Sequence, residues 1–371
     1  MNKKIFIITG EFSGDKHAAN VACELKKLIP DCIIEGIGES NLEAQGVKLF
    51  RNHDKMAKIG VSLSTIISHF RLGIDIVNYL KNDFKPDLVL LVDYGAFNLA
   101  ISKHLKKAGI KTFYFIPPQI WASRKWRLKT IKKNIDKVLT IFPFEKEFYD
   151  KEGISAEFVG HPIVEEIIIR NNREDFFKRH NLDLNKKLIS IFPGSRIFEI
   201  KFLLRLFEKA AKLIEKSRND IQIVFSHAKS LPNNAFKVSY KTIRNENHEL
   251  LEYSDALILA SGTVALEAAM YETPMLIAYK GPLLFYLIYL LVRNIKRACL
   301  VNIITGQDYV DEFLMDINPD KISKCINEIL DNKEKREHII EGCKKTKELL
   351  GNTNCAYNVA KIIYNELEDV R

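Results

Sequence analysis

Short apolar runs alternate with stretches in which apolar residues recur every three or four positions. Residues 4–10 (KIFIITG), 32–38 (CIIEGIG), 87–93 (DLVLLVD), 111–116 (KTFYFI) and 137–142 (KVLTIF) read as strands. Helical spacing falls between them, over 18–28 and 99–108. The grammar restarts with strands at 188–194 (LISIFPG), 221–227 (IQIVFSH), 256–261 (ALILAS) and 274–280 (PMLIAYK), and helices over 202–216, 263–271 and 319–330. Near-continuous apolar strands alternating with amphipathic helices predict an α/β protein with parallel sheets. The charged stretch 165–185 separates the halves, so two Rossmann-like domains are expected, 1–165 and 166–344.

Composition narrows the class. Over 371 residues, 47% are hydrophobic and 28% charged, too apolar for disorder. The longest apolar run, 282–292 (PLLFYLIYLLV), has eleven residues, against about 20 for a spanning helix. The six cysteines form no Cys-x-x-Cys pair, which suits reduced thiols in a cytosolic protein. The amino terminus reads as a strand, not a secretory leader. The net charge of +9 is concentrated: residues 101–137 hold eleven Lys or Arg and one acid. An anionic partner is implied. A nucleic acid is disfavoured, since the basic segment lacks an RNA-recognition signature.

Open parallel sheets bind ligands at the carboxyl ends of their strands, where four turns carry chemistry. In Gly10-Glu11-Phe12-Ser13-Gly14-Asp15, Ser13 or Asp15 suits a helix cap, whereas Glu11 has no capping duty. Asp93, ending an apolar strand before Tyr94-Gly95-Ala96-Phe97-Asn98, suits either a general base or a cap. Phe192-Pro193-Gly194-Ser195-Arg196 places a cation at a helix start, favourable only where an anion sits. In Ser261-Gly262-Thr263-Val264-Ala265-Leu266-Glu267 the turn can face a phosphate while Glu267, one helical turn on, accepts ribose hydroxyls. The last two turns together describe a nucleoside-diphosphate pocket. No Asp-x-Asp pair is present for a chelated metal, and no cofactor motif is found.

GEFSGD, PPQIWASR (117–124), FPFEKEFY (142–149), FVGHP (158–162), FPGSR and ASGTVALE, in this order, resemble the lipid A disaccharide synthase family over about residues 5–315. The resemblance implies a GT-B fold, two Rossmann-like domains with parallel sheets facing across a cleft. It also implies an inverting, metal-independent transfer of diacylglucosamine from UDP to 2,3-diacylglucosamine 1-phosphate at the inner face of the inner membrane. Asp93 or Glu11 then becomes the base. Ser13, Asp15, Asn98 and His161 line the acceptor side. Ser195, Arg196, Ser261, Gly262, Thr263, Glu267 and Asn302 hold the donor. The final helix, 345–371, returns to the first domain. Gly95, Ala96, Val301 and Gln307 depart from the family pattern.

Lipid substrates require apolar surface. Ile59, Leu63, Ile66, Ile67 and Phe70 recur at helical spacing, with Lys58 and Arg71 beside them. A core-facing helix would show the same stripe. Ile66, Ile67 and Phe70 are the expected contacts with an anionic phospholipid surface. Run 282–292, followed by Arg293, Lys296 and Arg297, is a second candidate. The competing readings are a UDP-sugar epimerase, another UDP-dependent GT-B transferase, and a non-catalytic basic lipid- or nucleic-acid-binding protein.

Overall fold

The computed structural model describes the chain apart from residues 1, 11, 53–62, 122–124, 168–171, 261, 281–296, 315–316, 352–353 and 369–371, and apart from the side chains of 12, 51–52, 63–70 and 125. Two compact units emerge, 1–165 with 352–371, and 166–351.

In the first unit the order is β1 (Lys4–Ile8), α1 (Phe12–Leu28), β2 (Ile33–Gly38), α2 (Ser40–Ala44), β3 (Lys48–Asn52) and α3 (Leu63–Tyr79). There follow β4 (Leu88–Val92), α4 (Gly95–Lys107), β5 (Thr112–Phe115), α5 (Leu128–Asn134), β6 (Lys137–Thr140), α6 (Pro143–Lys151) and β7 (Ala156–Phe158). The second unit runs α7 (Arg173–Arg179), β8 (Lys187–Phe192), α8 (Ile197–Ser217), β9 (Ile221–Ser226), β10 (Lys241–Ile243), α9 (Asn247–Tyr253) and β11 (Ala256–Leu259). It continues with α10 (Val264–Met270), β12 (Met275–Tyr279), α11 (Leu300–Thr305), β13 (Glu312–Leu314), α12 (Pro319–Asp331) and α13 (Lys333–Leu350). The last helix, α14 (Cys355–Glu368), belongs to the first unit.

Both sheets are parallel. Their strand orders are β3-β2-β1-β4-β5-β6-β7 and β10-β9-β8-β11-β12-β13. In each the order reverses once, between β1 and β4 and between β8 and β11, which is where doubly wound sheets bind ligands. Side-chain alternation explains the layers. Ile5, Ile7, Leu88 and Leu90 bury against α1 and α14, while Phe6, Ile8, Val89 and Leu91 bury against α3, α4 and α5.

Gly351, at φ 74, stops α13, and α14 then docks Val359, Ala360 and Ile363 onto α1. Lys111 pairs with Glu366 at 2.6 Å, and Asn358 Nδ2 donates to the Val159 carbonyl at 3.0 Å. The returning segment thus begins beyond 351, not at 345. α1 begins at Phe12, six residues before the apolar periodicity that marks it in the sequence. Cys23 and Cys32 are half-buried, and the other four cysteines are buried.

Candidate active site

In the first unit the reversal joins the turns after β1 and β4. Asp93 and Tyr94 are consecutive non-glycine residues in left-handed backbone, at φ 51 and 52, a conformation that costs about 1–2 kcal/mol per residue. Three hydrogen bonds hold it. Asn98 Nδ2 and the Tyr114 hydroxyl each donate to the Asp93 carbonyl at 2.8 Å, and Asp93 N donates to the Phe115 carbonyl at 3.0 Å. Tyr94 occupies the cap position of α4, so Asp93 is not the cap.

Two glycines of the first turn make room for this pair. A Cβ on Gly10 would lie 2.2 Å from the Tyr94 ring. One on Gly14 would meet Thr9 Oγ1 at 2.7 Å and Asp93 Cβ at 3.4 Å. The structure therefore sets Gly10 and Gly14 of the first turn against Asp93 and Tyr94, with Asp93 half-buried and Ser13 exposed. Glu11 lies outside the described residues.

Three residues expected on the acceptor side stand behind this surface. Asp15 is fully buried. Its carboxylate accepts from Glu39 N at 2.6 Å and Asn41 N at 3.0 Å, fixing the start of α2. Asn98 is also fully buried; its Nδ2 positions Asp93, and its Oδ1 has no hydrogen-bond partner among the described residues. His161 Nδ1 accepts from Ile163 N at 3.1 Å, and burial, with His17 adding to it, lowers its pKa to about 3. It is a neutral packing group. Its ring stands 5.0 Å from Phe142, which stacks on Phe144 at 5.5 Å, and Trp121 meets Phe144 edge-on at 5.0 Å. Trp121 Nε1 donates to Glu145 at 3.0 Å, and burial raises that carboxyl to about 7. Trp121 of the 117–124 motif thus packs with Phe142, Phe144, Glu145 and His161 in one cluster. The same segment bears on the site, since a Cβ on Gly95 would lie 3.0 Å from Pro118.

In the second unit the turns after β8 and β11 are neighbours, with Ala260 N donating to the Phe192 carbonyl at 2.8 Å. Ser195 and Arg196 are exposed. Their backbone amides, however, both donate to the buried Glu199 carboxylate, at 2.8 and 3.1 Å. The anion that the sequence demanded at this helix start is therefore supplied by the chain itself. What remains for a ligand is the Ser195 hydroxyl and the exposed Arg196 guanidinium, whose Nη1 lies 3.7 Å from the same Glu199 carboxylate, and not the amides. Glu199 stands at the N3 position, where a carboxylate reaches back to the amides at a helix start.

Gly262, at φ 145, and Thr263 are exposed with open space beside the glycine, while Ser261 lies outside the described residues. Glu267 is half-buried, and burial, with Glu166 adding to it, raises its pKa. Asn302 is buried and fully engaged. Its Nδ2 donates to the Val310 carbonyl at 2.8 Å and to Glu312 at 2.7 Å, and its Oδ1 accepts from Tyr309 N and Val310 N at 2.9 Å each. It shapes the loop before β13 and offers no polar atom to a donor sugar. Ile66, Ile67, Phe70 and the run 282–292 fall outside the described side chains.

The fold is the GT-B class of two Rossmann-like units. UDP-GlcNAc 2-epimerase from Neisseria meningitidis, solved with UDP-GlcNAc, is similar over 99% of this chain and 100% of its own, at TM-score 0.64 and 15% identity. A glycosyltransferase from Rickettsia africae is similar over 98% of both chains, at TM-score 0.59 and 13% identity.

Sequence defines the family more narrowly. The model of the lipid-A-disaccharide synthetase family matches residues 5–363. Lipid-A-disaccharide synthase of Coxiella burnetii (strain CbuK_Q154) is 37% identical over 98% of both chains. Lipid-A-disaccharide synthase 1 of Legionella pneumophila (strain Lens) is 34% identical over 99% of this chain and 98% of its own. The chain belongs to the lipid-A-disaccharide synthetase family and is a glycosyltransferase.

Proposed function

We propose that the protein transfers 2,3-diacylglucosamine from UDP to 2,3-diacylglucosamine 1-phosphate, with inversion, giving the β-1,6-linked disaccharide 1-phosphate and UDP. The observation that carries this reading is the Asp93–Tyr94 pair, held in left-handed backbone at the reversal of the first sheet. Strain of this kind persists where the surrounding structure fixes it, and it gathers at functional positions. Asp93 takes the proton of the acceptor's 6-hydroxyl, and the oxygen attacks the anomeric carbon. The diphosphate leaves with its charge met by Arg196 and the Ser195 hydroxyl. Gly262 and Thr263 approach the donor, and the Glu267 carboxylate accepts from the ribose. In this reading the first unit takes the acceptor and the second the donor.

The basic segment supports attachment to an anionic membrane face. Lys106, Lys111 and Lys137 are paired with Asp136, Glu366 and Glu157, while Lys103, Lys107, Lys129, Lys132 and Lys133 are exposed. No described helix is long and apolar enough to cross a membrane. Ile66, Ile67 and Phe70 on α3 would enter the lipid surface.

The test is incubation with UDP-diacylglucosamine and the acylated monosaccharide phosphate, with products read by mass. The disaccharide phosphate and UDP are expected, and only when both substrates are present. Isomerised donor formed without acceptor would instead indicate an epimerase.

A further inference from the structure

Beside Asp93 the first unit carries a cavity of about 580 Å³ between α3 and α4. One wall is Gly73, Ile74 and Val77 of α3, and the other includes Ala96, Phe97, Ala100 and Ile101 of α4. Along α4 the lining runs from Ala96 to His104, about 12 Å at 1.5 Å per residue. Its near end is Tyr94, which follows Asp93 in the chain. Its far end carries Lys103 and His104, both exposed. Ile74 is 45% exposed, whereas Ile76, two residues on and facing the other side of the helix, is buried completely.

We propose that this groove binds one acyl chain of the phosphorylated acceptor, with Ala96 and Ala100 leaving the space that sets which chain lengths fit. This inference rests on the transfer reading above and names the part of the site that recognises the lipid. Three observations favour that occupant. Between its two ends the lining is apolar apart from Asn78 of α3, which suits a methylene chain. It begins at the residue after the base, where the acceptor sugar must sit. Its far end is cationic, complementary to an amphiphile that carries phosphate. Ala96 and Ala100 lie four apart on α4 and are both exposed, so a larger side chain at either fills the groove without entering the core.

Each methylene carried into such a groove contributes about fourfold in affinity. The test compares butanoyl and tetradecanoyl forms of diacylglucosamine 1-phosphate, by calorimetric binding and by kcat/KM, in the wild type, Ala100→Phe and Ile74→Asn. In the wild type both measures should favour the long chain. In each variant the long-to-short ratio should fall about tenfold or more, the loss expected from displacing two or more methylenes. An unchanged ratio in correctly folded variants overturns the inference. So does an unchanged ratio accompanied by weaker flotation on anionic phospholipid vesicles, which would make the groove a membrane-lipid site. Chain-dependent binding that the variants abolish, with no disaccharide formed by the wild type, would sustain the groove and sink the transfer reading instead.

Discussion

Two glycines and two side chains hold the backbone of the candidate base. With a Cβ at position 10 only 2.2 Å from the Tyr94 ring, Gly10→Ala must push that ring, and the Asp93 peptide with it, out of place. We expect it to cost about 1–3 kcal/mol in urea unfolding, as overpacking does, and to lower kcat more than it raises either KM. The buried titratable pair nearby has a signature of its own. Glu145 is raised from 4.5 to about 7, so it contributes stability present below pH 4.5 and lost as pH rises towards 7. His161 is lowered from 6.5 to about 3, so its contribution is present above pH 6.5 and lost as pH falls towards 3. Between pH 4.5 and 6.5 the two slopes oppose each other. Glu145→Gln should therefore unmask an unfolding free energy that climbs with pH across that window, where the wild type is flatter. Urea midpoints at a series of pH values measure it. A slope equal to that of the wild type would show that Glu145 does not titrate there.

At the scale of elements, the start of α8 shows how a helix and a ligand turn compete for the same amides. Gly194, at φ 115, and the amides of Ser195 and Arg196 are wrapped around Glu199. Glu199→Ala removes that acceptor. We expect a loss of about 1–2 kcal/mol in stability, in the range of a lost cap, and weaker UDP binding by calorimetry. Tighter UDP binding would mean that the carboxylate blocks a phosphate position. The strands show what the sequence pattern can and cannot carry. β1, β4, β8 and β11 announce themselves because central parallel strands are buried on both faces and read as apolar runs. The strands that pattern misses are β3 (KLFRN), β7 (AEF), β10 (KTI) and β13 (EFL), the outermost strand at each side of both sheets. Short, partly polar sequences are what edge strands need to avoid pairing with other chains, and they leave no periodic signal. The site divides in the same way. The turns holding Asp93, Arg196 and Glu267 were visible because they follow apolar strands. The buried roles of Asp15 and Asn302 depend on backbone amides they accept from, and that of Asn98 on the carbonyl its side chain holds, none of which spacing reveals.

At the scale of the molecule, the first unit is assembled from both ends of the chain. Ile363 of α14 is fully buried in the core it shares with α1. Ile363→Ala should therefore cost about 2–5 kcal/mol, read in urea unfolding, although it lies far along the chain from every candidate site residue. The charge of this unit suits a surface that meets lipid phosphates, and the acceptor reading places the chemistry there. That reading turns on one group, Asp93. Asn tolerates left-handed backbone, so Asp93→Asn keeps the turn and removes the base. The decisive measurement is kcat for disaccharide formation by Asp93→Asn under saturating substrates, with UDP binding measured in parallel. The account predicts a loss of about 10²–10⁴-fold in kcat with UDP affinity retained. Turnover within a few-fold of the wild type would contradict it.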